Sequence, residues 1–409
     1  MRKAKVILLS TALAFTGLAA CGSGGGGDSR TILVDYQTDD FAAAFLGYYP
    51  RNFTVTPGMT VKFEQAWTGE PHSVTMGKIV DEGYAPIAKV LDGYLDGTTP
   101  IPDEPPAEYN EEIWEQKLPY MFGDGDGEVN QSAALPCYAP KESDLPQDKS
   151  KPCAKEFRDK PEFDGTHAYY SSGFIPFEGE LANEFELKLA DDIDDGKYAY
   201  YCNLHGILMS GQITVDRDAK IESQGDLNRR GREEVERVEK TLRTTLNKER
   251  AGKGRFPLPL AGSGDELSDS VMASAVEFTP RTINTTVGQK VTWTFIGDHT
   301  IAFNVPPYTP LYTFDKRGHL KFNTGLEKAR GGWPGAPERE GADGPPDPNA
   351  PEREPFNVDA GEFDGSGGIK SSGIGWSDGD KYSVTFTKPG TYPYACLIHP
   401  GQIGKVVVK

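Results

Sequence analysis

The sequence predicts an all-β fold in which two β-sandwich domains are joined by a helical connector. Three observations carry that expectation. FDGTHAYYSSGF at 163–174 and FDGSGGIKSSGI at 363–374 match at Phe, Asp, Gly, Ser, Ser and Gly at a constant offset of 200 residues. Such a repeat marks two copies of one structural unit. YAYYCNLHGILMSGQITV (198–215) and YPYACLIHPGQIGKVVV (392–408) alternate apolar with polar residues, the period of half-buried strands. The 409 residues include 47 Gly and 31 Pro, with only 37% apolar side chains, which excludes an architecture of long helices.

Taken in chain order, the first element is an export signal over 1–21. Arg2, Lys3 and Lys5 form a basic start, and a mainly apolar run over 6–20 follows. That run is too short to span a membrane as a mature helix. The stretch Leu18-Ala19-Ala20-Cys21 resembles the lipobox of bacterial lipoproteins, which implies cleavage before Cys21 and a lipid on its thiol. Residues 22–30 are a Gly/Ser tether with little to pack. Losing the three signal cations moves the formal charge from −18 to −21. That acidity excludes a general affinity for phosphate backbones and with it a nucleic-acid role.

The first β-domain is expected over 31–217. FTVTPGMTVKFEQAWTGEPHSVTM (53–76) corresponds to TINTTVGQKVTWTFIGDHTIAFNV (282–305), each reading strand, Gly turn, strand, then a His. An insertion at 78–162, with helix-like pieces at 85–95 and 108–117, reads as surface loop. Cys137 and Cys153 lie in it, 16 positions apart. In an exported chain they form a disulfide that closes the loop, worth about 3 kcal/mol in the chain-entropy picture. The connector spans 218–270. Val235, Val238, Leu242 and Leu246 fall on one face of a helix expected over about 226–250, read as a spacer docked on one sandwich. The second β-domain covers 271–409. Its insertion at 306–362 is dominated over 325–362 by Gly, Pro and charge and has too little to build a core.

Two cysteines then remain, Cys202 and Cys396, one per repeat. Lone thiols in an oxidising compartment call for a metal–thiolate bond. The first repeat supplies His72, Cys202, His205 and Met209: two imidazoles and a thiolate for a trigonal plane, and a thioether for a weak axial contact. With the upstream His, the C-x-x-H spacing and the strand that follows, this pattern resembles the cupredoxins, the plastocyanin-like blue-copper group in particular. The resemblance covers the ends of both repeats and neither insertion. It implies Greek-key sandwiches, a type 1 copper in each, and one-electron transfer. The second repeat offers His299, Cys396 and His399, with Gln402 in the Met place and a ligand loop one residue shorter. Gln is an axial ligand in some cupredoxins, and its harder oxygen implies a lower potential for the second copper than for the first.

By the same resemblance, the ring of His205 opens to the surface beneath Ile207 and Leu208 as an electron exit, and His399 does so in the second domain. Tyr201, beside Cys202, resembles the plastocyanin aromatic that forms a second path; Ala395 holds that place in the second repeat. Tyr198, Tyr200, Tyr392 and Tyr394 read as sandwich packing.

Histidine arithmetic separates carrier from enzyme. Only His167 and His319 are left over, too few for the trinuclear cluster of a multicopper oxidase or the second copper of a nitrite reductase, so those remain distant alternatives. Zinc fits less well, since structural zinc takes four strong Cys or His donors. The expected function is therefore a two-copper electron carrier, lipid-anchored to the outer face of a bacterial membrane. Its acidic surface suits a basic redox partner such as a cytochrome. The alternative is non-redox copper binding, storage or delivery, although six Met do not make a Met-rich reservoir.

Overall fold

The computed structural model describes residues 29–38, 40–66, 68–95, 106–120, 129–148, 151–175, 183–264, 272–305, 312–314, 320–322, 357–373, 375 and 378–409. The signal, Cys21, the tether up to residue 28, His319 and most of the second insertion lie outside them.

Two sandwiches are built to one plan. In the first, a sheet ordered β3 (Tyr48–Tyr49), β1 (Ser29–Val34), β5 (Thr60–Gln65), β9 (Glu184–Lys188) faces a second sheet. That one runs β4 (Asn52–Val55), β11 (Gly206–Val215), β10 (Gly196–Cys202), β6 (Ser73–Met76), β8 (Tyr169–Phe174), β7 (Cys137–Ala139). The second sandwich pairs β14 (Phe278–Thr279), β12 (Leu260–Ala261), β16 (Lys290–Phe295), β22 (Lys381–Phe386), β20 (Asn357–Phe363) with a further sheet. Its order is β15 (Thr282–Thr285), β24 (Ile403–Val408), β23 (Gly390–Ala395), β17 (Ala302–Phe303), β21 (Lys370–Ser371). Without the edge strands β7 and β20 the two orders coincide. Small paired strands complete the inventory: β18 (Tyr312–Phe314) with β19 (Leu320–Phe322), and β2 (Ala43–Phe45) with β13 (Ala273–Ala275).

Three boundaries differ from the sequence reading. β12, which falls within the expected connector 218–270, pairs in parallel with β16 and so is an integral strand of the second sandwich. β20 lies in the expected insertion 306–362 yet pairs with β22. β1 begins at Ser29, inside the expected tether. A two- or seven-residue strand between Gly- and Pro-rich segments leaves little periodicity to detect, and its partner strand decides it.

The repeated FDG…SSG motif has a mechanical role. Asp164 and Asp364 each fold the chain by accepting a bond two residues on, from Thr166 N at 2.8 Å and Ser366 N at 2.9 Å. Further along, Ser172 Oγ accepts from Val74 N and Ser372 Oγ from Ile301 N, both at 2.8 Å. Those amides belong to the segments that follow His72 and His299. The motif thus holds the strand that delivers the first His of each repeat.

The first insertion is a packed layer rather than surface loop. Along β10 the side chains alternate. Tyr200 and Cys202 point into the sandwich core, whereas Ala199 and Tyr201 point out into a cluster with Ile79, Val80, Tyr84, Leu91, Trp114 and Cys137. Helices α1 (Lys78–Tyr84) and α2 (Ala88–Tyr94) and a π-helical turn at Glu112–Lys117 supply it. The Cys137–Cys153 disulfide forms as expected, with Cα atoms 5.6 Å apart.

After α3 (Gln131–Ala134), the longest of the described helices is α4 (Gln224–Arg250), capped by Ser223, whose Oγ accepts from Asp226 N at 3.2 Å. It is more than a spacer. Val235, Leu242 and Leu246 are buried with Phe41, Phe45 and Tyr49 of the first sandwich and with Ala273 and Ala275 of β13; Val238 packs alongside. At its end Arg250 meets the buried Glu277 at 2.7 Å. Since β13 leads into the second sandwich and pairs with β2, the helix and this small sheet fix one sandwich against the other. None of the described helices is long and apolar enough to cross a membrane.

Asp81 of α1 accepts from Ala199 N at 2.7 Å, supplying a partner for β10 where the short β6 ends. Burial raises its pKa from 3.8 to about 7, only partly offset by that bond. A carboxyl that holds its proton more tightly when folded adds stability below its unfolded pKa, and this is lost as pH rises through the folded value. Asp81→Asn should therefore gain thermal stability relative to the parent between pH 4 and 8, read as the difference in Tm across that range. A constant difference would show that Asp81 does not titrate there.

Candidate metal centres

Each sandwich brings one His-Cys-His group together, with one ligand atom per residue and all three within 4.8 Å of one another. In the first, His72 Nδ1 and His205 Nδ1 face each other at 3.2 Å, and Cys202 Sγ lies 4.0 and 3.6 Å from them. In the second, His299 Nδ1 and His399 Nδ1 are 3.1 Å apart, with Cys396 Sγ 3.6 Å from His399. Local chain geometry explains how. Cys202 ends β10 and Cys396 directly follows β23, each second His sits on the short turn that comes next, and each first His precedes the strand clamped by the SSG motif.

The two residues expected at the fourth position are both buried, Gln402 against the second group and Met209 in the core that holds Cys202. Tyr201 pairs with Ser210 but Cys202 with Gly206, so residues 207–209 bulge from the ladder, and Met209 is fully buried in the same core cluster as Cys202. Gln402 Oε1 lies 2.9 Å from His299 Nδ1.

Both thiols are made more acidic by their imidazole neighbours. Burial alone would raise their pKa values. At Cys202 the hydrogen bonds and charge of His205 and His72 outweigh it, as do those of His399 and His299 at Cys396, and both thiols fall well below the ordinary range. Burial likewise opposes the imidazolium of His205 and of His399, but the thiolates and Glu70 raise both to about 10. Backbone amides add to the sulfur's acceptor role: Ser73 N at 3.5 Å and Leu204 N at 3.4 Å for Cys202, Thr300 N at 3.4 Å for Cys396. Asn203 N donates to Ser73 Oγ at 2.8 Å and Leu397 N to Thr300 Oγ1 at 2.7 Å, locking each ligand turn onto the strand of the first His. Two imidazoles and a thiolate converging at these distances fit a soft or borderline cation in each group.

The sites differ where sequence reasoning saw nothing. Asp35, which follows β1, is fully buried; its Oδ2 lies 3.1 Å from His72 Nε2 and accepts from Thr68 Oγ1. Its Oδ1 accepts from Tyr36 N and Phe45 N. The carboxylate fixes the tautomer that leaves His72 Nδ1 free for a metal. Registers of β1 with β5 and of β12 with β16 place Gly262 at the matching position. There His299 Nε2 finds no hydrogen-bond partner among the described residues, and a β-carbon on Gly262, at φ +88, would collide with that nitrogen. The Asp lies 37 residues from the His it braces, and Gly262 sits in the expected connector, so no local spacing announces either.

Two expected electron exits are corrected. Ile207 and Leu208 pack against the insertion cluster rather than forming an open patch. The outer nitrogens of His205 and His399 both point at Glu70, and the two rings are 10% and 2% exposed. Tyr201 is buried, with its ring edge-on to Trp114 at 5.3 Å. His167 bonds Asp164 at 3.3 Å and joins neither group.

Asp35→Ala should lower metal affinity at the first site by about 10- to 100-fold, the usual cost of losing a ligand's outer partner, and leave the second unchanged. Gly262→Ala should do the reverse. Titration with a spectroscopically visible divalent ion in single-site backgrounds measures both, and equal losses at the two sites would contradict the assignment.

No family model matches the chain. Among solved structures it is similar to a reduced tryptophan-to-tyrosine variant of amicyanin, at 18% identity over 33% of this chain and 74% of that one, with a TM-score of 0.17. It is also similar to a purple cupredoxin from Nitrosopumilus maritimus (19% identity, 33% and 84%, TM-score 0.15). A third is amicyanin from Paracoccus versutus (16% identity, 33% and 74%, TM-score 0.15). The sheet order and the placement of the two ligand groups, rather than these matches, carry the resemblance to a cupredoxin-like sandwich.

Proposed function

We propose that this chain is a type 1 copper protein that carries single electrons between redox partners, with a copper in each sandwich. The carrying observation is the pair of His-Cys-His groups; Met209 in the first and Gln402 in the second are buried and would supply a fourth, weaker donor. Copper held there would supply a one-electron couple. The chain's own contribution is constraint. Ligand side chains other than His205 are at most 2% exposed, which leaves no room for a substrate. The bonds from Asp35, Ser73 and Thr300 hold the donors in one arrangement, so a change of oxidation state asks for little movement. Storage or delivery would need ligands that open readily, and these are fastened by β-strands on both sides.

Met209 and Gln402 set the two potentials apart, with the thioether favouring the reduced state more than the amide oxygen does. Asp35 works against this at the first centre, because an anion behind His72 strengthens that ligand's donation and favours the oxidised state. Next to Cys202, the Tyr201–Trp114 pair offers a route towards the insertion. The acidic chain suits a basic partner such as a cytochrome, with association that weakens as salt is added. We place the protein on the outer face of a bacterial membrane, held by a lipid on Cys21, on the strength of the lipobox-like sequence.

The mature protein should bind copper at both groups and show intense Cys-to-copper charge-transfer absorption. Cys396→Ser should remove one copper and its band and leave the other; colourless protein, or an unchanged copper count in this variant, would refute the assignment. Met209→Gln should lower the potential of the first centre alone, and Asp35→Asn should raise it by on the order of 50 mV, both read by redox titration. Cys21→Ala should release the protein from the membrane fraction; retention would rule out the lipid as anchor.

A further inference from the structure

The two centres are joined by a residue that neither ligand set requires. Glu70 lies on the loop between β5 and β6, two positions before His72, and its carboxylate stands between the sandwiches. Oε2 is 2.7 Å from His205 Nε2, and Oε1 is 3.1 Å from His399 Nε2. One carboxylate therefore spans the outer nitrogens of one ligand from each centre.

The surroundings show that this contact is built. Gly69 adopts φ +119, and a β-carbon there would run into the Ile398 carbonyl oxygen and lie 2.9 Å from Pro400 Cδ. Only glycine lets the loop rest directly on the second ligand turn. On the other side Thr68 is tied to Asp35, so the loop is held on both flanks of Glu70. Leu204, on the first ligand turn, packs against both sandwich cores, and Phe174 of the first sandwich packs against the core of the second. The Glu70 side chain is 22% exposed, so water has limited access to the bridge.

The chemistry matches the position. An ionised carboxylate accepts at two oxygens at once. Both rings can then carry their proton on Nε2 and turn Nδ1 towards the thiolate, which is the tautomer a metal needs at both centres. Neither proton has to move when charge passes.

We propose that Glu70 makes the two centres a single electron-exchange unit. One electron leaves the reduced centre of one sandwich and reduces the oxidised centre of the other through His205, the Glu70 carboxylate and His399; the chain's electron count and the two ring protons are conserved. The inference rests on the copper reading above. It gives the chain a property that two separate carriers lack: an electron accepted at either sandwich is shared by both without a second encounter.

The test uses the holoprotein with both sites loaded. A substoichiometric pulse of radiolytic reductant puts electrons into the pair, and their redistribution is followed at the two charge-transfer bands. The parent protein should equilibrate internally, at a rate independent of protein concentration. Glu70→Leu should slow that rate by about tenfold or more, since it deletes the hydrogen-bonded link. Glu70→Gln, with one acceptor oxygen and one donor nitrogen, should fall between. An unchanged rate in Glu70→Leu, or exchange that depends on protein concentration in the parent, overturns the bridge. Should Glu70→Leu fail to fold or load, the Gln variant decides by nitrogen NMR of the reduced, diamagnetic protein. Slowly exchanging Nε2 protons on both His205 and His399 should be seen in the parent and on only one of them in Glu70→Gln; retention of both overturns it. A parent protein without copper or colour would instead refute the copper reading.

Discussion

The constraint on which the rest of the structure depends is the seating of one loop, 65–72, against the ligand turn of the opposite sandwich. That loop carries a ligand of the first centre, His72, and the carboxylate shared with the second. It is pinned by Thr68 to Asp35, by Gly69 to Ile398 and His399, and by Gln65 Oε1, which accepts from His72 N at 3.1 Å. A carboxylate that bridges two imidazoles tolerates errors of only a few tenths of an ångström in either distance. Two domains on a flexible tether could not hold it. This accounts for what otherwise looks like excess: a 27-residue helix buried against the first sandwich and β13, a three-residue strand exchange between β2 and β13, and an ion pair from Arg250 to Glu277. Together they remove the freedom of one sandwich relative to the other.

The two copies have diverged where chemistry is tuned and not where geometry is made. Ser73 and Thr300, Ser172 and Ser372, and Gly173 and Gly373 keep their roles, the two glycines at φ +62 and +64. The differences lie at the axial residue and at the Asp35 and Gly262 position. At the first centre a soft axial donor is combined with an anionic brace; at the second a harder donor is combined with an unbraced imidazole. The axial donor and the brace act in opposite directions on potential at each centre. With copper in both groups, the separation between the two potentials would thus be smaller than Met against Gln alone would give.

What could be read from the sequence follows the range of the interactions. The six His and Cys positions that the structure brings together were legible because each C-x-x-H spacing is short and because the repeat displays it, with a His upstream, twice. The disulfide and α4 were legible for similar reasons, one from cysteine counting and the other from a single helical face. Asp35 and Gly262 were not, since strand register alone brings them to His72 and His299. The insertion at 78–162 reads as loop because its helices are at most seven residues long, and the apolar face they cover, Ala199 and Tyr201, belongs to a strand far along the chain. Glu70 left a faint trace: Gly69-Glu70 before His72 and Gly297-Asp298 before His299 put an acid beside the first ligand in both repeats. Which of the two would reach across is a property of the interface.

On the copper reading proposed above, the same interface bears on how electrons would enter and leave. The outer nitrogens of His205 and His399 are both taken by Glu70 between the sandwiches. An external partner must then approach each thiolate from another side. The first sandwich offers Tyr201, which abuts Trp114 and so extends Cys202 into the insertion layer. The second has Ala395 in that place, with no aromatic to extend Cys396 and no comparable layer among the described residues. On that reading the two thiolates differ in their described surroundings, one continued by aromatic rings into an insertion layer and the other by the small side chain of Ala395. That difference gives the two sandwiches distinct electronic surroundings although their ligand groups follow one plan.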